Sequence, residues 1–179
     1  SRFCTRKLGM KKPIILSVFF FILTAISSFG QGVWIEETVD PVSGLKTGKI
    51  EINGDVYEIG RDANLEGANL YNADLEGVNL VGANLEGANL VTANLNGANL
   101  HGARLNGANL DGAKLNGTKF EEADLMDANL AFATLENTNL KWATLIGANF
   151  TGTTLRNIGI EWGIYRKTFD LHNFIEIEK

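Results

Sequence analysis

From Ala63 onward the chain advances in steps of five residues, and no other feature constrains its fold as strongly. The steps read ANLEG ANLYN ADLEG VNLVG ANLEG ANLVT ANLNG ANLHG ARLNG ANLDG AKLNG TKFEE ADLMD ANLAF ATLEN TNLKW ATLIG ANFTG TTLRN IGIEW: 20 pentapeptides over residues 63–162 with no insertion. The third position is Leu in 17 of them, Phe at Phe120 and Phe150, and Ile at Ile160; the first is nearly always Ala. A period of five suits neither a helix, which repeats at 3.6 residues, nor a long strand, which repeats at 2. Within each step, however, the first and third residues alternate across the one between them, as in a short extended piece. The last two positions supply turn chemistry, most plainly in Asn96-Gly97, Asn106-Gly107 and Asn116-Gly117. An extended piece and a turn, repeated without a break, build a solenoid rather than a globule.

This A(D/N)LXX pattern resembles that of the pentapeptide repeat family. The resemblance implies an all-β fold, a right-handed quadrilateral β-helix in which four pentapeptides make one coil, so that residues 63–162 form about five coils. With strands ~4.8 Å apart, such a rod is roughly 24 Å long. The resemblance also implies that the central Leu or Phe and the Ala two residues before it point inward. Leu65, Leu85, Leu105, Leu125 and Leu145 then stack in one inner column beside Ala63, Ala83, Ala103, Ala123 and Ala143. Leu repeated inward fills the interior and leaves no ligand cavity. On the next side Asn69, Asn89, Asn109, Asn129 and Asn149 form an outer column whose amides can hydrogen-bond from coil to coil.

The flanks differ from the repeat. Residues 1–30 hold five basic residues (Arg2, Arg6, Lys7, Lys11, Lys12) and no acidic one. Met10-Lys11-Lys12 leads into the apolar run Ile14–Ala25, and Ser28-Phe29-Gly30 precedes Gln31. That order reads as a signal peptide starting at Met10, with residues 1–9 upstream of it. The competing reading is an uncleaved membrane anchor, but the apolar run from Ile14 to Phe29 has 16 residues, against about 20 for a spanning helix. Cleavage and export to the periplasm or beyond are therefore expected, with membrane contact only if residues 14–29 are retained. The single Cys4 lies ahead of Met10, which leaves the mature chain without disulfides.

Four segments follow from these boundaries: 1–30, upstream residues and signal; 31–62, an N-terminal β cap; 63–162, the repeat; and 163–179, a C-terminal cap. In the first cap Lys49-Ile50-Glu51-Ile52 and Asp55-Val56-Tyr57-Glu58-Ile59 flank Asn53-Gly54, the signature of a β-hairpin with a two-residue primed turn. Val33-Trp34-Ile35 is a candidate third strand. Residues 163–179 lose the pattern but stay apolar-rich and are expected to fold over the last coil, because an open β-helix end invites aggregation.

Function is less constrained. Of the net charge of −5, the first thirty residues contribute five positive charges, so the rest carries a net ten negative ones. Such a surface does not track nucleic-acid phosphates, which needs clustered Lys and Arg. His101 stands alone, and Glu66, Glu76 and Glu86 do not assemble the six to eight oxygens a Ca²⁺ wants. No nucleophile elbow, phosphate loop or zinc spacing occurs. The expectation is therefore no enzyme, no cofactor and no metal. Outward positions become more apolar toward the C-terminal end, where Met126 and Ile146 share one column, Trp142 and Trp162 a second, and Phe132 lies on a third. These five residues are the candidate interaction surface for an unknown protein partner, unless the tail packs on them. The family resemblance adds the possibility of a homodimer through the C-terminal end.

The resemblance also implies an alternative, since some family members are acidic rods that mimic duplex DNA and bind DNA gyrase. B-DNA carries one charge per about 1.7 Å, so a rod of this length would need roughly 14 negative charges. Here eleven acidic residues in the coils are offset by five basic ones. The leading expectation is an exported, non-enzymatic β-solenoid that serves as a structural or protein-interaction scaffold.

Overall fold

The computed structural model describes residues 32–160 and the backbone of Glu176–Glu178. The expected signal segment, Trp162 and nearly all of 163–179 lie outside the described residues.

The turn half of each pentapeptide sets the backbone. Every fifth residue from Asp62 to Asn157 has a positive φ, between 49° and 72°. A four-residue turn closes around it, as where the Ala68 N–H donates to the Leu65 carbonyl at 3.0 Å. A positive φ at the third turn residue is the demand of a type II turn, which explains the many Gly and Asn at this position. The second position does a different job. Its Oδ1 accepts the N–H two residues on, at 3.2 Å from Glu86 to Asn84 and 3.0 Å from Thr151 to Asn149. Where the second position is Asn or Asp, its side chain can thus stand in for a backbone acceptor just before the turn.

The extended half pairs with the sequence twenty residues away. Parallel bridges Asn64↔Asn84, Asn69↔Asn89, Asp74↔Asn94 and Asn79↔Asn99 begin four ladders, each continuing in steps of twenty. One rung consists of Asn84 N–H to Ala63 O (2.9 Å), Leu65 N–H to Asn84 O (2.7 Å) and Gly67 N–H to Glu86 O (2.8 Å). The result is a β-rich pentapeptide-repeat fold of very short strands. The side chains between the ladders form one core, in which first and third positions are buried from Ala68 to Leu140 and half-buried at Ala143, Leu145 and Ala148.

Two residues depart from the inward–outward rule: Asn79 and Ala131, at second and fourth positions, are buried. Asn79 is covered by the N-terminal cap. Three inner first positions hold Thr instead of Ala, and each is satisfied in the same way. Thr118, Thr138 and Thr153 donate their hydroxyls to the carbonyls of Leu95, Leu115 and Leu130, each 23 residues earlier, at 2.7–2.8 Å. Replacing Thr118 by Val, which keeps the shape and removes the donor, should cost about 1 kcal/mol, measurable by urea unfolding.

Ahead of the repeat, β1 (Val33–Val39), β2 (Lys46–Ile52) and β3 (Asp55–Ile59) form an antiparallel sheet in that order. Asn53 and Gly54 join β2 to β3, both at positive φ (53° and 92°), the primed geometry that matches strand twist. A register shift between Trp34 and Glu36 lets β1 bend. Gly48 faces that bend, and a Cβ there would lie 1.9 Å from the Glu36 carbonyl oxygen. Ile50, Ile52 and Ile59 are buried in the same core as Leu65. At the other end β4 (Thr134–Glu136) and β5 (Thr154–Arg156) pair in parallel, and β6 (Glu176–Glu178) adds to β5 with Leu155 opposite Ile177.

Candidate interaction surface

Each ladder carries its own outer chemistry. The second ladder is an amide column: Asn89 Nδ2 donates to Asn69 Oδ1 at 3.1 Å, Asn129 to Asn109 at 3.0 Å and Asn149 to Asn129 at 2.9 Å. Its fourth and fifth positions add Tyr71, Val91, Ala131, Thr151, Thr92 and Phe132, and Asp111 is its one acidic or basic residue. The other three ladders mix acids with bases. Arg104 pairs with Glu86, and Arg156 with Glu136 at 3.3 Å, all four partly solvated. Pairs of this kind add about 0–1 kcal/mol each.

Phe132 and Trp142 are 63% and 62% exposed, and both occupy the positive-φ fifth position, at 56° and 59°. A bulky side chain there is a genuine outlier, where Gly, Asn or Asp is at ease. The Phe132 ring leans over Gly152: a Cβ at Gly152 would meet ring carbons at 2.6 Å. The chain therefore holds a large ring outward at a site where backbone strain opposes it. Met126 and Ile146 are half-buried and less available. Phe132 and Trp142 are ten residues apart in a twenty-residue repeat, so the structure sets them on separate ladders and does not gather the expected residues into one patch. Trp162 lies outside the described residues.

No interaction residue was expected on the N-terminal cap. Val33, Ile35, Val39, Val42 and Val56 are all exposed there. Lys49 bonds Glu36 at 3.0 Å; that bond, then the charges of Glu36 and Glu58, raise its pKa. The contact between cap and repeat centres on Asn79. Its Nδ2 donates to Asp40 Oδ2 at 2.8 Å and to Ser43 Oγ at 3.1 Å. Asp40 Oδ1 accepts the N–H groups of Val42 and Ser43. The backbone bonds from Ser43 and Val42 are the main cause of a lowered Asp40 pKa, with smaller help from Asn79 and Ser43 side chains. Val78 in place of the usual Ala precedes Asn79, but its partner Asp40 lies 39 residues away.

Among the described residues no group of three or more His, Cys, Asp or Glu is placed to hold a metal ion. No helix among them is long and apolar enough to cross a membrane. Residues 61–97, 85–122, 93–130 and 123–158 match a family described as pentapeptide repeats (8 copies). No curated protein matches the chain. Among solved structures it is similar to a pentapeptide repeat protein from the thylakoid lumen of Arabidopsis thaliana, with 33% identity over 48% of this chain and 63% of that one, TM-score 0.34. It is also similar to HetL, involved in heterocyst differentiation regulation in the cyanobacterium Nostoc (28% identity, 55% and 64% covered, TM-score 0.27). A third is a plasmid-mediated fluoroquinolone resistance protein (20% identity, 64% and 68% covered, TM-score 0.47). The chain thus spans just under two thirds of the first and second of these.

Proposed function

The chain belongs to the pentapeptide repeat family, and we propose that it works, without catalysing a reaction, as an exported scaffold that presents rigid outer sides to a protein partner. In this reading the four ladders close as a right-handed quadrilateral β-helix of five coils over 63–162. Residues 31–62 cap one end, 163–179 cap the other, and 1–30 direct export. The regular positive-φ corners and the four parallel ladders support that closure. The pairing of β6 with β5 supports the C-terminal cap.

The observation that carries the interaction role is the pair Phe132 and Trp142, kept exposed at strained positions. Strain of this kind persists where something other than stability selects it. Replacing either by Gly removes about 1–2 kcal/mol of left-handed strain and adds about 0.5–1 kcal/mol of glycine entropy. The melting temperature should stay within a few degrees of wild type, while capture of the partner by the tagged mature chain is lost. A large fall in melting temperature with capture retained would make the rings structural and sink the proposal. Fractionation should find the cleaved chain outside the cytoplasm; full-length protein in the cytoplasm would refute export.

The acidic surplus of the coils favours a second reading, a DNA-mimicking rod that binds gyrase or another topoisomerase. Protection of gyrase from a quinolone by the purified chain, or inhibition of supercoiling by it, would favour this reading over the first.

A further inference from the structure

The N-terminal sheet touches the first strand of three of the four ladders, the fourth through main-chain bonds and the second and third through one side chain each. On the fourth ladder Lys46 N–H donates to Gly77 O at 3.0 Å, and Asn79 N–H donates to Lys46 O at 2.8 Å. On the second, Asn69 N–H donates to Tyr57 Oη at 3.2 Å; on the third, Trp34 Nε1–H donates to Asp74 O at 3.3 Å. The first ladder has no such cover. Asn64 N–H, Asn64 C=O and Glu66 C=O make no hydrogen bond among the described residues. Their counterparts one coil on, Asn84 N–H, Asn84 C=O and Glu86 C=O, are all paired to the segment above, with Ala63 O, Leu65 N–H and Gly67 N–H. An open strand edge of this kind is a template for another strand.

That edge borders an open groove of about 730 Å³ between the cap and the start of the repeat, lined among others by Thr38, Thr47, Gly60 and Asn64. Asp40, Glu58 and Asp62 are among its lining residues, with Arg61 the one basic residue there. The space lies within the range of known ligand clefts, and its charge balance is negative.

We propose that this groove docks an extended basic segment of a partner protein, added as a parallel strand beside residues 63–67. One carbonyl of the incoming segment accepts the Asn64 N–H. Its amide two residues later donates to Asn64 C=O, and the amide two residues after that donates to Glu66 C=O. Main-chain bonds supply the affinity of such strand addition, and alternate side chains supply the choice of partner. Here Lys or Arg side chains meet the carboxylates of the groove wall. The site is at the end of the repeat away from Phe132 and Trp142, and it stands whether or not those rings bind anything.

The test is fluorescence anisotropy on the full chain with a labelled heptapeptide of alternating Lys and Gly. A copy N-methylated at alternate amides and an alternating Glu and Gly peptide serve as controls. The basic peptide should bind saturably, and N-methylation should weaken it by about tenfold or more because strand addition depends on main-chain donors. Glu58→Gln and Asp62→Asn should each weaken it severalfold, and Phe132→Gly should leave it unchanged. Absence of saturable binding would overturn the proposal, as would equal binding of the N-methylated or acidic peptide. A dimer in sedimentation that Glu58→Gln dissociates would assign the groove to a second copy of the chain and overturn it as well.

Discussion

Replacing Leu105 by Arg should leave no folded repeat. Leu105 is fully buried in the column between Leu85 and Leu125, which are fully buried too. A guanidinium placed there finds no carboxylate and no water, and an unpaired buried charge costs more than about 4 kcal/mol. Domains of this size hold only about 5–15 kcal/mol in total. The loss also spreads, because each repeat is supported by its neighbours along the rod. Arg104, one position away, is the internal control: it is exposed and pairs with Glu86. Insoluble protein, or loss of the β signal in circular dichroism, is the expected result. A soluble variant with the wild-type spectrum would mean that position 105 does not face inward.

The inward column was expected from the family resemblance, and the period of five leaves no freedom in it: once Leu65 points in, so does every fifth residue after it. The Asn53-Gly54 hairpin was readable for a similar reason, since two positive φ values in a row suit few other dipeptides. The Asn69–Asn149 column was assigned to coil-to-coil bonds, and three of its four possible ones form. Its more regular task, accepting the N–H two residues on, is local and was missed. The strain at Phe132 and Trp142 was also missed, although a clue was present: Gly, Asn or Asp fills most fifth positions, which marks a left-handed site. Long-range cap contacts left no trace. Asn79 and Asn99 hold the same second position before Leu, in VNLVG and ANLHG, yet only Asn79 meets Asp40. Such a contact is decided by where the chain before the repeat returns, and local pattern does not encode that.

Asn79→Ala should therefore uncouple the cap from the repeat. Asn79 is fully buried and makes three bonds: to Asp40 Oδ2, to Ser43 Oγ, and from Val81 N–H at 3.3 Å to its Oδ1. Truncation leaves the Val81 N–H without its side-chain acceptor and opens a small void, a loss of about 2–4 kcal/mol. Asn99→Ala, at the half-buried position one coil on, should cost much less. A pH series separates the charge of Asp40 from the packing of Asn79. The folded-state pKa of Asp40 is lowered from the ordinary carboxylate range, because backbone bonds from Ser43 and Val42 favour the carboxylate. A depressed carboxyl pKa contributes stability that is present above the unfolded pKa and is lost as pH falls through the folded one. Wild-type protein should therefore lose stability below about pH 4, and Asp40→Asn should flatten that fall while lowering stability at neutral pH. Asn at 40 keeps an acceptor for the Val42 and Ser43 amides but turns an NH₂ toward Asn79 Nδ2, so the bond that joins cap to coil is the one removed. An acid transition in Asp40→Asn as steep as in wild type would show that the cap is not held through this carboxylate.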